Sequence, residues 1–129
     1  MLERFHFPGA VAPRGPYSHA VRAGDFIYVS GQVPIDPISN EFSYGTIEHE
    51  TALVLSNIAL ILEAAGASIA DVVKCNVYLK DAGDFAAMNA VYGSVFGDNK
   101  PARTTVEVKF ANPTIKVEID CIAYRPRSS

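Results

Sequence analysis

The strongest constraint in this chain is the alternation over residues 115–125. Ile115, Val117, Ile119, Cys121 and Ala123 share one parity; Lys116, Glu118, Asp120, Ile122 and Tyr124 share the other. Successive side chains of a strand point to opposite faces, so this run makes a strand with one face against a core. The same alternation appears at residues 72–80, where Val73, Cys75, Val77 and Leu79 share a parity. In 103–110, Thr104, Val106, Val108 and Phe110 stand against Arg103, Thr105, Glu107 and Lys109. Residues 26–33 are rich in β-formers and end at Pro34, and predict a further strand. The first 24 residues, broken by Pro8, Gly9, Pro13, Gly15, Pro16 and Gly24, read as loop with one short edge strand. Residues 34–45 read as a connection.

Two segments carry the helical period instead. In 47–65, Ile47, Thr51, Val54, Leu55, Ile58, Ile61, Leu62 and Ala65 recur at steps of three and four, with Thr46 as N-cap and Gly66 as stop. Glu48 and Glu50 in the first turn suit the helix dipole. Asp84 is expected to cap a second helix bearing Phe85, Met88, Val91, Tyr92, Val95 and Phe96, ended by Gly97. The order (β)βαβαββ predicts one α+β domain over residues 1–129, a mixed sheet with both helices on one face.

The last two strands are expected to close as a hairpin around 111–114. That register sets Glu107 opposite Glu118 and Thr105 opposite Asp120, with Arg103 and Glu118 roughly 13 Å apart along the strands. The apolar parities should face the helices. The opposite face mixes charges, hydroxyls, Ile122 and Tyr124, which predicts partial burial against another copy of the chain around a polar cleft.

Composition narrows function. A formal charge of −3 across 129 residues argues against a nucleic-acid footprint. Two Cys and three His leave little material for a metal site, so none is expected. Cys75 and Cys121 fall in apolar alternations and read as free buried thiols. No signal-peptide pattern and no membrane-length apolar run occurs, which predicts a reduced cytoplasmic protein without membrane partners.

Five fragments in order carry a family resemblance: Gly15-Pro16-Tyr17-Ser18-His19-Ala20; Val29-Ser30-Gly31-Gln32; Val77-Tyr78-Leu79-Lys80-Asp81 with Asp84 to Asn89 and Tyr92; Pro101-Ala102-Arg103-Thr104-Thr105-Val106; and Val117 to Ala123. Together, over about residues 15–125, they resemble the RidA/YjgF family. The resemblance implies a chorismate-mutase-like fold, a homotrimer and active sites in clefts between subunits. It implies an enamine/imine deaminase that converts 2-aminoacrylate or 2-aminocrotonate to a 2-keto acid and ammonia, with no cofactor. Two other roles fit the same residues: an endoribonuclease or translation inhibitor, and a module that binds keto acids without turnover.

That chemistry needs a carboxylate anchor, a polarised imine and a positioned water. Arg103 is the expected anchor, because a guanidinium holds a carboxylate through two parallel hydrogen bonds; the alternative is a strand-end ion pair with Asp98 or Glu107. Glu118 is expected to hold or deprotonate the water, given burial that tunes its pKa. Thr105 either contacts the water or is simply a β-branched strand residue. Tyr17 and Ser30 match the family's pocket-lining pair. Gly31 permits close approach to the ligand and offers an amide, or else marks a bulge. Asn89 either orients the pocket or is a structural amide. The chain departs from the family pattern at His19, where Gln is frequent, at Ala111-Asn112-Pro113, and in the short loop after Gly97. These departures bear on substrate preference.

Overall fold

The computed structural model describes residues 2–6 and 13–127. Pro8 and Gly9, read as loop, lie outside the described residues. The elements are β1 (Leu2–Phe5), β2 (Ala20–Ala23), β3 (Phe26–Gln32), α1 (Ile47–Ala64), β4 (Val72–Leu79), α2 (Phe85–Phe96), β5 (Ala102–Glu107) and β6 (Val117–Tyr124). Short 3-10 turns precede β4 and α2. The strands form one mixed sheet in the order β1-β2-β3-β6-β4-β5. Only β4 and β5 run parallel; the other neighbours are antiparallel. The α+β class and the placement of both helices on one face agree with the expectation.

Three features differ from it. The first 24 residues contain two strands, β1 and β2, rather than one. β5 stops at Glu107 and β6 starts at Val117, both shorter than the alternation suggested. The third difference is topological: β5 and β6 do not form a hairpin, because β4 lies between them. β6 is paired on both sides, through Val29↔Cys121 with β3 and Tyr78↔Glu118 with β4. Its content explains the position. Val117, Ile119, Cys121 and Ala123 are all essentially buried, and a strand that apolar is best placed mid-sheet under the helices. β5 instead joins β4 by a crossover through α2, the usual link between parallel strands, and takes the edge.

The helices seal the core. α1 begins where Thr46 Oγ1 accepts the His49 amide, 3.1 Å. It ends with Gly66 at φ 88°, where Ala67 N–H reaches Leu62 O and Gly66 N–H reaches Glu63 O. That two-bond ending needs a left-handed residue, hence glycine. Ile58, Ile61 and Leu62 are fully buried, each contributing about 1.5–3 kcal/mol. At α2 the capping side chain is Asp81, which accepts from the Gly83 amide, and Asp84 makes no capping bond; the 3-10 turn shifts the start upstream. Both cysteines are free, buried and directly opposite one another on β4 and β6. None of the described helices is long and apolar enough to cross a membrane.

Glu50 does more than meet the helix dipole. It is fully buried, and its carboxylate accepts the backbone amides of Gly45 (3.2 Å) and Lys116 (2.8 Å). Lys116 Nζ lies 3.5 Å away. The first turn of α1 is thereby tied to residues 34–45 and to the entry of β6. Glu50→Ala strands two amides and should cost about 2–4 kcal/mol of stability, read as a lower denaturant midpoint. An unchanged midpoint would show that the bridge contributes nothing net.

Candidate active site

Two cavities on opposite faces of the sheet hold the site residues expected from sequence, except Thr105, which lines neither. The larger, about 460 Å³, is lined by Tyr17, Ser30, Gly31 and Glu118, closed at its rim by residues of 34–45 and 110–115. The other, about 420 Å³, lies between α2 and the edge strand and is lined by Asn89, Tyr92, Lys100, Pro101 and Arg103.

In the first cavity the sheet itself creates the seat. The β3–β6 register shifts between Val29 and Gln32, so Ser30 and Gly31 form a bulge with no partner on β6. A Cβ at Gly31 would stand 2.3 Å from Glu118 Oε2. The glycine therefore makes room for the carboxylate, and the bulge and the close approach are one feature. Ser30 Oγ donates to Ser18 O at 2.6 Å, which holds the segment carrying Tyr17 against β3. Tyr17 Oη accepts the Arg14 amide at 3.1 Å. Burial raises the Glu118 pKa above its ordinary value, and the negative charge of Asp120, two residues along the same face, raises it further. Asp120 in turn accepts from Asn76 Nδ2 and Tyr78 Oη, each at 2.8 Å. The Tyr78–Asp120 bond, with burial and the charges of Asp120 and Glu118, pushes the Tyr78 phenol up to about 12.

Arg103 contradicts the expected parity. The apolar parity of β5 was expected toward the helices, yet the parallel register Cys75↔Arg103 puts Arg103 on the helix side with the buried Cys75. Thr104 and Val106 face the open side, where Thr104 accepts from Lys74 Nζ at 2.8 Å. The cause is that β5 overhangs the core. Its helix-side residues meet an aromatic wall at the flank of α2, with the Arg103 guanidinium 4.8 Å from the Tyr92 ring centroid and 5.5 Å from that of Phe85. Such stacking suits arginine and leaves its in-plane donors open. Arg103 belongs to none of the ion pairs among the described residues. Glu107, one expected partner, accepts the Ala82 amide instead. Asn89 Oδ1 and Thr105 Oγ1 are buried without a hydrogen-bond partner among the described residues. Burial and the neighbouring Cys75 thiol push the Tyr92 phenol well above its ordinary range.

One sheet thus separates Arg103, Asn89 and Thr105 from Tyr17, Ser30, Gly31 and Glu118. The sequence model of the family described as Endoribonuclease L-PSP matches residues 8–125, across both groups. The chain belongs to that family. A RutC family protein of Pyrococcus horikoshii is 50% identical over 125 residues, covering 97% of this chain and 99% of the relative. Among solved structures, the RidA of an Antarctic Psychrobacter species is 39% identical with TM-score 0.89, over 95% of this chain and 98% of that one. Escherichia coli TdcF, solved with bound serine, is 32% identical with TM-score 0.88, over the same shares.

Ala111 and Asn112, where the chain departs from the family pattern, line the first cavity; sequence reading missed Arg14 and Phe42, which reach it from loops without a period, and Phe110, which it read as a strand residue facing the helices. It also read Phe85 and Tyr92 as core stripe; their spacing of seven, one helix face, was the available sign of a shared wall. No cluster of three or more His, Cys, Asp or Glu suited to a metal occurs among the described residues. Since Asp120 raises the Glu118 pKa, Asp120→Asn should lower it. Carboxyl carbon NMR titration checks this, and an unmoved or higher Glu118 pKa would contradict the coupling.

Proposed function

We propose that this chain hydrolyses small 2-imino acids and their enamine tautomers to 2-keto acids and ammonia, in sites shared between subunits of a homotrimer. The observation that carries the reading is a half-buried carboxylate of raised proton affinity on one face and an arginine without an acid partner on the other. The first suits a general base, since a raised proton affinity strengthens its pull on a water proton, and the second suits a carboxylate anchor. TdcF, which holds serine in its structure, supports a small amino-acid-like ligand for this fold.

The separation of the two groups supports assembly. One copy holds the two groups on opposite faces of its sheet, whereas copies packed with the β5 edge of one against the open face of the next can present both to one small substrate. That face carries Phe26, Tyr28, Val106 and Tyr124, each 40–46% exposed with no helix above them. An apolar patch of this kind is a common interface signature.

In the proposed reaction, an enamine first gains a proton on carbon to give the iminium. Arg103 of one subunit holds the carboxylate. Glu118 of its neighbour takes a proton from water as the water oxygen bonds to C2. Glu118 returns that proton to nitrogen and then takes the proton of the new hydroxyl as the C–N bond breaks, so that ammonia leaves and the 2-keto acid remains; Glu118 releases this last proton to solvent, matching the one the enamine gained on carbon. One imine and one water become one keto acid and one ammonia, with no electrons transferred. Tyr17, fixed by the Arg14 amide, lines the water side; Ser30 and Gly31 shape the seat of Glu118. Thr105 and Asn89 bring buried oxygens to the Arg103 side.

Arg103→Ala and Glu118→Gln should each lower kcat/KM for dehydratase-generated 2-aminocrotonate on the order of 100-fold or more. Mixed trimers of the two inactive variants should regain activity, with about a quarter of sites intact by random assembly. No recovery in verified mixed trimers would place both residues in one subunit's site. RNA cleavage that copurifies with the protein and is lost in these variants would favour the endoribonuclease reading instead.

A further inference from the structure

The cavity that holds Glu118 contains one permanent positive charge, and the reaction proposed above has no use for it. Arg14, between Pro13 and Gly15, lines the same wall as Tyr17. Its backbone amide fixes the Tyr17 hydroxyl. Its guanidinium lies 5.0 Å from the Phe42 ring centroid and donates one Nη2 hydrogen bond to Asn40 O. It enters none of the ion pairs among the described residues. A guanidinium has five N–H donors and always carries its charge. Here a backbone carbonyl occupies one donor and an aromatic ring one face, so the group is held in place at the cavity while most of its donors stay open.

Charge counting gives this meaning. Arg14 and Glu118 are the charged side chains that line the cavity. With Arg103 contributed by a neighbour, the assembled site holds two guanidinium groups against one carboxylate. A substrate with a single carboxylate neutralises only one of the two. The same cavity is also lined by apolar groups, among them Val33, Phe42 and Ile115, which suit a short methylene stem more than a polar one.

We infer that Arg14 forms a subsite for a second anionic group, so that the preferred ligands are dicarboxylic 2-imino and 2-keto acids with the distal carboxylate on Arg14. This rests on the deaminase reading for the orientation of the ligand, with its α-carboxylate on Arg103. Arg14 is a specificity residue here; it touches the side chain of the substrate and not the reacting carbon.

Calorimetry with keto acids separates this inference from the catalytic one. Wild-type protein should bind 2-oxoglutarate about tenfold or more tightly than 2-oxobutanoate, as expected for an added charge-assisted pair. Arg14→Met keeps an apolar stem on Phe42 and removes the charge; it should lose most of that ratio. Arg14→Lys keeps the charge and should retain most of it. A merely structural role for Arg14 would move both affinities together and leave the ratio unchanged. A wild-type ratio near one, a ratio unaltered in Arg14→Met, or no binding of either acid would each overturn the subsite. Retention of the ratio by a protein that hydrolyses no imine would sink the deaminase reading and keep the subsite. Imine hydrolysis without any dicarboxylate preference would do the reverse.

Discussion

The two ladders of β6 are the constraint on which the rest of the molecule depends. Because β6 is hydrogen-bonded to β3 on one side and β4 on the other, it holds together two halves of the sheet that share no other ladder. One face of the strand carries four residues of the core, and the other carries Glu118 and Asp120. Burial of the first set fixes the height and direction of the second. The chemistry of Glu118 follows from this placement. Mid-sheet, beside the Gly31 bulge, the carboxylate loses part of its hydration and meets the charge of Asp120, and both effects favour its protonated form.

Much of the fold was legible because it depends on local periodicity. The span of α1 follows from a stripe of seven apolar residues and Thr51, its Thr46 cap and its Gly66 stop, each a short-range signal. The strands at β3, β4 and β6 follow from β-formers or alternation. Strand order was not legible in this way. A short connection between β5 and β6 suggested a hairpin, but adjacency in sequence carries no information about what else competes for the same edge. The apolar content of β6 called for two neighbours, and β4 supplied the second. β1 and β2 were obscured for another reason: each is only four residues long, and a strand that short shows little alternation.

For the candidate site, the residue types were legible and their grouping was not. Arg103, Glu118, Tyr17, Ser30, Gly31 and Asn89 all line one or other cavity. Parity assigned Arg103 to the wrong face because it assumes that apolar residues always turn toward the helices. At the overhanging edge that rule fails, since the helix side offers a flank of aromatic rings to a cation while Val106 is turned to the uncovered face. The rim residues Phe42, Phe110 and Asn112 come from loops whose approach is decided by tertiary contacts, such as the Asn112–Tyr44 hydrogen bond of 3.1 Å.

The Glu50 bridge has a consequence for how a ligand enters. The loop that bounds the Glu118 cavity is held at one end by a carboxylate inside the core and is linked across the mouth through Tyr44 and Asn112. For this rim to swing aside, a carboxylate buried in the core would have to give up its backbone partners. Rim opening should then share the free energy of wider unfolding, instead of having a cheap local fluctuation of its own. Such an entrance admits ligands by shape and charge already present before binding. It selects as a fixed aperture, in contrast to a lid that closes over whatever has entered.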